Sequence, residues 1–256
     1  MRLEVFEVRC IAFLMLAIGG VANAQIADED RDVSWKKLLP NILNDQRRIW
    51  TYPVRLAEGH DLLPTAVFGA VTAGLVFGAD APAAHYFRNT STFHGFNQVF
   101  TSTATSLGTL IVPVSFYAVG LIRKDTKAQN TALLAGEAVA DAEIVTEILK
   151  PAVARVRPSA LAPNANFRDT WAEGGSRFSA DHNSFPSGHA IAAFSVATII
   201  SRRYRNHRWV PFVAYGLAGA ICFSRISRSE HFPSDVFFGG AMGFVIAKYA
   251  VLPARD

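Results

Sequence analysis

Three short runs of the chain gather the residue types that handle a phosphate group. The first is Lys150, with Arg157-Pro158 seven residues on and Arg155 between them. Seven residues are about two turns of helix, so Lys150 and Arg157 can project to one side. The second is Phe185-Pro186-Ser187-Gly188-His189, directly ahead of the apolar run Ala190 to Ile200. Ser187 suits a helix N-cap, and a first helical turn offers unpaired backbone N–H groups and the positive end of the dipole, where an anion is held. His189 on that turn would sit beside the anion. The third run is Ser224-Arg225, then His231 six residues later and Asp235 four after that. A carboxylate one helical turn from a histidine can accept a hydrogen bond from one ring nitrogen and leave the other as a nucleophile. Arg225 adds a permanently charged fork for phosphate oxygens. Taken singly, each run also has a plain structural explanation: a basic helix C-terminus, a satisfied histidine, a surface ion pair.

Together and in this order, Lys-x6-Arg-Pro, Pro-Ser-Gly-His and Ser-Arg-x5-His-x3-Asp resemble the three signature motifs of the type 2 phosphatidic acid phosphatase (PAP2) superfamily, which includes bacterial class A acid phosphatases and vanadium haloperoxidases. The gaps of 27 residues between Pro158 and Pro186 and 34 between His189 and Ser224 are ordinary for that family. The resemblance covers residues 130 to 250 and leaves out residues 1 to 60. It implies that His231 attacks phosphorus, that Asp235 orients it, and that His189 protonates the leaving oxygen and then activates water against the phosphohistidine. It maps the phosphate cradle onto Lys150, Arg157, Ser187, Gly188 and Arg225. No metal or other cofactor is implied, with vanadate expected only in a haloperoxidase. Three departures stand out: Pro151 should break or kink the helix after Lys150, Arg155 and Arg228 are extra cations that could replace Arg157 and Arg225, and Glu230 would repel a phosphate unless it points away.

These residues need helices to hold them. Apolar stretches fall near residues 62 to 79, 98 to 122, 131 to 149, 189 to 201, 209 to 223 and 235 to 252, too long and too little alternating for strands. The expectation is an all-α bundle of about six helices with the active site at one end. The stretch at 131 to 149 carries Glu137, Asp141, Glu143 and Glu147, and each charge at a bilayer centre costs about 2.5–3.5 kcal/mol. That helix should therefore face protein. The loop from Ser159 to Phe185, with Phe167, Arg168, Trp171, Arg177, Phe178, Asp181 and His182, is expected either at the rim of the site or as a solvated loop.

Ahead of the bundle, residues 1–24 combine Arg2 and Arg9, an apolar run from Cys10 to Val21 and Ala22-Asn23-Ala24, the pattern of a cleaved signal peptide, weakened by Glu4 and Glu7. Residues 25–61 are amphipathic, with Trp35, Leu38, Leu39, Ile42, Leu43, Ile49 and Trp50 among basic residues, and suit a short helix lying against an interface or, as the plainer reading, against the domain's own core. Residues 62–256 form the phosphatase-like domain. The motifs must converge, so Arg123, Lys124 and Lys127, like Arg202, Arg203, Arg205 and Arg208, belong at the opposite end. If the helices span, those clusters lie in the cytoplasm and the site on the periplasmic side of a bacterial envelope. Alternation then puts residues 25–61 in the cytoplasm, which a cleaved leader forbids. Either the leader is not one, or the 62 to 79 segment does not cross, or the bundle is an exported soluble domain.

Composition narrows the classes. Half the residues are apolar and 18% are charged, which excludes intrinsic disorder. Two cysteines, Cys10 and Cys222, cannot build a disulfide framework. A net charge of +4, scattered along the chain, argues against a nucleic-acid partner. The reading that fits best is a metal-independent hydrolase of lipid phosphomonoesters or diphosphates, membrane-embedded or membrane-bound. The alternatives are a soluble periplasmic acid phosphatase acting on small phosphoesters, a vanadium haloperoxidase, or a membrane structural or binding protein with a dead site. The last would lack one of Lys150, Arg157, His189, Arg225, His231 or Asp235, and all are present.

Overall fold

The computed structural model describes residues 31, 33–162, 165–168, 170–171 and 183–253. The leader at residues 1–24 and Arg177, Phe178, Asp181 and His182 of the rim loop lie outside the described residues. The fold is all-α. Its helices are α1 (Leu38–Ala57), α2 (Leu62–Gly78), α3 (Asp80–Arg88), α4 (His94–Val99), α5 (Ser102–Arg123), α6 (Thr126–Val153), α7 (Gly188–Arg203), α8 (Trp209–Ser227) and α9 (Pro233–Val245), the last prolonged by a wider turn over Ile246–Val251. All six apolar stretches became helices. The sequence reading missed α3 and α4, whose few residues mix charge, histidine and aromatics and show no sustained period.

Helix ends follow local chemistry. Thr101 caps α5 by accepting from the Ala104 N–H at 3.0 Å, and Asp125 caps α6 by accepting from Ala128 at 3.1 Å. Between them Lys124 turns the chain in the left-handed region at φ 54°. Gly120 makes this tight hairpin feasible, because a Cβ there would stand 2.8 Å from the backbone nitrogen of Gln129. α5 therefore runs away from the end that holds Ser102, α6 returns, α7 leaves, α8 returns and α9 leaves. The basic clusters at 123–127 and 202–208 lie at the end opposite the three motifs, as expected. Arg31 bonds the carbonyls of Ala250 and Val251 at 3.3 and 3.0 Å, so the chain enters α1 at that far end as well.

The polarity of the bundle is reversed relative to a water-soluble one. On α1 the buried residues are Asn41 and Asp45, whereas Leu39 and Leu43 are 66% and 62% exposed. Leu38 and Ile49 do pack on the core, but the helix as a whole turns its polar face inward, which fits the interface rather than the core placement of the two expected, and at 20 residues it is longer than the short helix expected. α5 buries only Thr105 and Gly120 and leaves Ile122 82% exposed. Such apolar surfaces are unfavourable against water and suit hydrocarbon. α5, α8 and α9 with its extension, at 22, 19 and 19 residues, are long and apolar enough to cross a bilayer, and α1 with α2, bent by 103°, could make a fourth span. The protein is a membrane protein, and its surface argues against the exported soluble domain.

α6 lies inside this wall. Glu137 and Asp141 are fully buried: Glu137 accepts from Asn41 at 2.7 Å and Asp141 from Gln46 at 2.8 Å. Arg31 pairs with Asp45 at 2.6 Å beside them. These charges face protein as expected. Glu143 and Glu147, nearer the site end, are exposed instead.

Candidate active site

α6 delivers the first motif. Pro151 falls in its last turn, so the helix runs through Lys150 and ends at Val153, with Ala154 left-handed at φ 50°. Lys150 Nζ bonds Glu147 at 3.2 Å and lies 3.7 Å from where a Cβ on Gly188 would stand, which brings the first motif against the second. Arg157 Nε donates to Asn183 at 2.7 Å. Arg155 is turned the other way, into the protein. Its Nη2 donates to Asp80 at 2.7 Å, its Nη1 to Asp235 at 2.5 Å and to Ser234 at 2.8 Å, and its Nε to Thr170 at 3.1 Å. Its guanidinium plane lies 4.1 Å from the Trp171 ring and 3.9 Å from that of Phe232. Arg155 is thus no substitute for Arg157. It is a buried clamp behind the site.

The second and third motifs meet through backbone. A Cβ on Gly239 would stand 2.6 Å from the Ser187 carbonyl oxygen, and one on Gly243 would overlap the Ile191 carbonyl, so α9 lies directly on the start of α7. The Ser187 N–H donates to the Asp235 carbonyl at 3.2 Å. Ser187 is the N-cap of α7 as expected, yet its hydroxyl makes no capping bond, and it is fully buried with no partner among the described residues.

His231 is 3% exposed and its Nδ1 donates to the Ser184 carbonyl at 2.6 Å. A carbonyl can only accept, so the proton sits on Nδ1 and Nε2 keeps its lone pair. Asp235 is 3.8 Å from Nδ1, beyond hydrogen-bond reach, which corrects the direct carboxylate–histidine bond expected. Its oxygens are taken by Arg155, by the Ser184 hydroxyl at 2.6 Å and by the Phe232 N–H at 2.8 Å. Asp235 therefore orients His231 at one remove, by fixing Ser184 and the first turn of α9. Burial pushes the His231 imidazole below its usual range, with Arg157 adding to the effect and Asp235 opposing it.

His189, on the first turn of α7, faces α5: its Nε2 lies 2.9 Å from Ser106 Oγ and 3.2 Å from the Ser102 carbonyl. Burial and then Arg225 push it down to about 4. Arg225 is fully buried, with Nη2 on the Phe100 carbonyl at 2.6 Å and Nη1 on Ser102 Oγ at 2.8 Å and Glu230 at 2.9 Å. Glu230 does not point away from the cradle. It lies against Arg225, accepts from Arg228 at 2.8 Å and from Ser102 at 2.8 Å, and so ties up Arg228. Burial raises its carboxyl, but the two arginines and Ser102 outweigh that and hold it below the usual range.

His189 has Arg225 and His231 as electrostatic neighbours, and His231 has Arg157. The structure thus gathers His189, His231, Asp235, Lys150, Arg157, Ser187, Gly188 and Arg225 at one end of the bundle. It also adds Asp80, Ser102, Ser106 and Ser184. Asp80 accepts from the Ser234 N–H at 2.9 Å and its hydroxyl at 2.5 Å besides Arg155. A lone acid between two apolar stretches was the signal for it. Ser184 acts through a carbonyl, which no residue type reveals.

The family model of the PAP2 superfamily matches residues 131–254, which contain all three motifs. The lipid A 1-phosphatase of Porphyromonas gingivalis is 36% identical over 67 residues, 26% of this chain and 15% of that protein. The bacitracin transport permease protein BcrC of Bacillus licheniformis is 30% identical over 141 residues, 52% of this chain and 63% of that protein. The crystal structure of LpxE from Aquifex aeolicus aligns over 68% of this chain and 88% of that one, at 22% identity and a TM-score of 0.42. The chain thus spans less than two thirds of the curated relatives it matches. On its motifs and the residues matched, the segment 131–254 of the chain belongs to the PAP2 superfamily.

Proposed function

We propose that this protein is a metal-independent phosphatase that removes phosphate from lipid phosphomonoesters or diphosphates through a phosphohistidine on His231. The observation that carries the reading is the His231 ring: Nδ1 is committed to the Ser184 carbonyl, which leaves Nε2 as a nucleophile beside Arg157. The orphan Ser187 hydroxyl and the first turn of α7 supply donors for a phosphate oxygen. Lys150, Arg157 and Arg225 balance the charge of the in-line transition state.

In the first step Nε2 attacks phosphorus, the bond to the leaving oxygen breaks, and His189 gives that oxygen a proton. In the second, His189 takes a proton from water, whose oxygen attacks phosphorus and breaks the N–P bond to release phosphate. His189 must be cationic to act first as an acid. Burial and Arg225 oppose this, and the dianionic group of the substrate beside it is what raises its affinity for the proton. The likeness to the lipid A 1-phosphatase of Porphyromonas gingivalis supports phosphatase chemistry, and the apolar belt supports a lipid substrate. The basic far end, read by the positive-inside rule, supports a site on the periplasmic face.

The test is phosphate release in detergent with EDTA, comparing phosphatidate and a prenyl diphosphate with p-nitrophenyl phosphate, for wild type and His231→Ala. Lipid-selective release that vanishes in the variant supports the reading. Release from the small ester alone makes the protein a general acid phosphatase, and release that survives His231→Ala or EDTA-sensitive release overturns the mechanism.

A further inference from the structure

The two histidines of the site are held by the same chain of contacts. His231 Nδ1 donates to the Ser184 carbonyl, the Ser184 hydroxyl donates to Asp235 at 2.6 Å, and Asp235 accepts from the buried Arg155. On the other side, His189 Nε2 lies 3.2 Å from the Ser102 carbonyl, the Ser102 hydroxyl donates to Glu230 at 2.8 Å, and Glu230 accepts from the buried Arg225 at 2.9 Å. Each chain runs from histidine to serine carbonyl, serine hydroxyl, carboxylate and arginine. Ser102 stands 87 residues from His189 and 128 from Glu230, so the likeness is made by the fold and not by a repeated motif.

Contact with a carbonyl decides the tautomer. The Ser102 oxygen can only accept, so the proton of the neutral His189 ring sits on Nε2, and Ser106 Oγ at 2.9 Å accepts from the same N–H. Nδ1 keeps its lone pair and is the nitrogen left to move a proton. The Ser102 hydroxyl reaches both oxygens of Glu230, at 2.8 and 3.1 Å, and Arg225 Nη1 donates to Glu230 and to Ser102 Oγ, so the serine that fixes the ring is itself fixed. The titratable and charged groups facing His189 are Arg225 on α8, Glu230 and His231 on the turn that follows, and Lys150 on α6 beside Gly188, while α5 presents Ser102 and Ser106. Burial and Arg225 oppose a cationic ring most, and the Ser102 carbonyl and Glu230 favour it.

We propose that Glu230 is the positioning residue of His189, acting through Ser102 as Asp235 acts on His231 through Ser184. The inference rests on the phosphatase reading and specifies how its acid and base is set. The cationic ring gives its Nδ1 proton to the leaving oxygen as the P–O bond breaks, and becomes neutral with the other proton still on Nε2 against Ser102. Nδ1 then takes a proton from water as the water oxygen bonds phosphorus and the N–P bond breaks. Glu230 holds the ring's orientation through both transfers and offsets the Arg225 charge that opposes the cation.

The test uses Glu230→Gln and also Ser102→Ala, which keeps the carbonyl. Profiles of kcat and KM against pH are measured in detergent on a phosphatidate. In Glu230→Gln the fall of kcat at high pH, where His189 loses its proton, should begin about one pH unit lower, so that kcat above that point drops about tenfold. KM should hold or fall, because a carboxylate leaves the cradle. Ser102→Ala should lower kcat about fivefold, the worth of one hydrogen bond, with KM unchanged. A high-pH limb that does not move in Glu230→Gln overturns the proposal, and so does a raised KM at unchanged kcat, which would make Glu230 only a support for Arg225. Ser102→Ala with the kcat of wild type overturns the route through the serine. Heteronuclear NMR of histidine-labelled free protein reads the ring without turnover, with His189→Gln giving the assignment. A wild-type ring protonated on Nε2, with a titration that moves to lower pH in Glu230→Gln, upholds the proposal even where no phosphate is released, in which case the phosphatase reading alone fails; a ring protonated on Nδ1, or a titration that does not move, overturns it.

Discussion

Asp80→Asn probes the clamp behind the nucleophile with almost no change of shape. Asp80 is 1% exposed and accepts three bonds: Oδ1 from the Ser234 N–H, Oδ2 from the Ser234 hydroxyl and from Arg155 Nη2. An asparagine offers one acceptor oxygen. Whichever way it turns, its amide faces a buried donor, and leaving such a donor unpaired costs about 1–3 kcal/mol. Breaking a buried ion pair outright costs about 3–5 kcal/mol. Arg155 keeps Asp235 as a partner, so a loss near the lower figure, about 3 kcal/mol, is expected. At roughly 2–4 °C per kcal/mol for a chain of this size, the melting temperature should fall by roughly 6–12 °C. Thermal unfolding of the detergent-purified protein, followed by size exclusion, reads this directly, with Glu147→Gln as control because the Glu147 side chain is 69% exposed. A melting temperature within about 1 °C of wild type for Asp80→Asn would refute the argument, since it would mean that the clamp contributes nothing the amide cannot replace.

Two further changes address the site itself. His189 titrates at about 4 in the folded protein against an ordinary 6.5, so between those values the unfolded chain binds the proton first. Its contribution to stability is complete above pH 6.5 and is lost as pH falls toward 4; His189→Gln should flatten the fall in melting temperature between those limits, and an unchanged slope would show that His189 is not the group responsible. Ser187→Ala removes an orphan buried hydroxyl, so stability should hold or rise while kcat/KM falls by about 10–100-fold; an unchanged kcat/KM would remove Ser187 from the phosphate cradle.

How much of this was legible in the sequence depended on the kind of signal. The spans were, because apolar composition persists over their length: the stretch at 209 to 223 became Trp209–Ser227, and that at 98 to 122 became Ser102–Arg123. The convergence of the three motifs at one end of the bundle was, because each motif joins a charge or imidazole to a helix end. Amphipathicity on α1 was visible but its direction was not, since the same stripe of Leu39 and Leu43 faces a core in water and the outside in hydrocarbon. Asp80 and Arg155 are 75 positions apart, and neither residue advertises its partner. The orientation of His231 was expected from Asp235, four residues away, and comes through a carbonyl 47 residues away, a bond that depends on tertiary placement alone.

The close seating of α9 on α7 has a mechanical consequence. Because Gly239 and Gly243 let backbone meet backbone, His189 and the turn that carries His231 ride on a single rigid piece, and no side-chain exchange at that seam can slide one against the other. α5 is a separate member, joined to this piece at the site end through serines, a carbonyl and Arg225. A displacement of α5 at the site end therefore leaves the spacing between His189 and the turn that carries His231 unchanged.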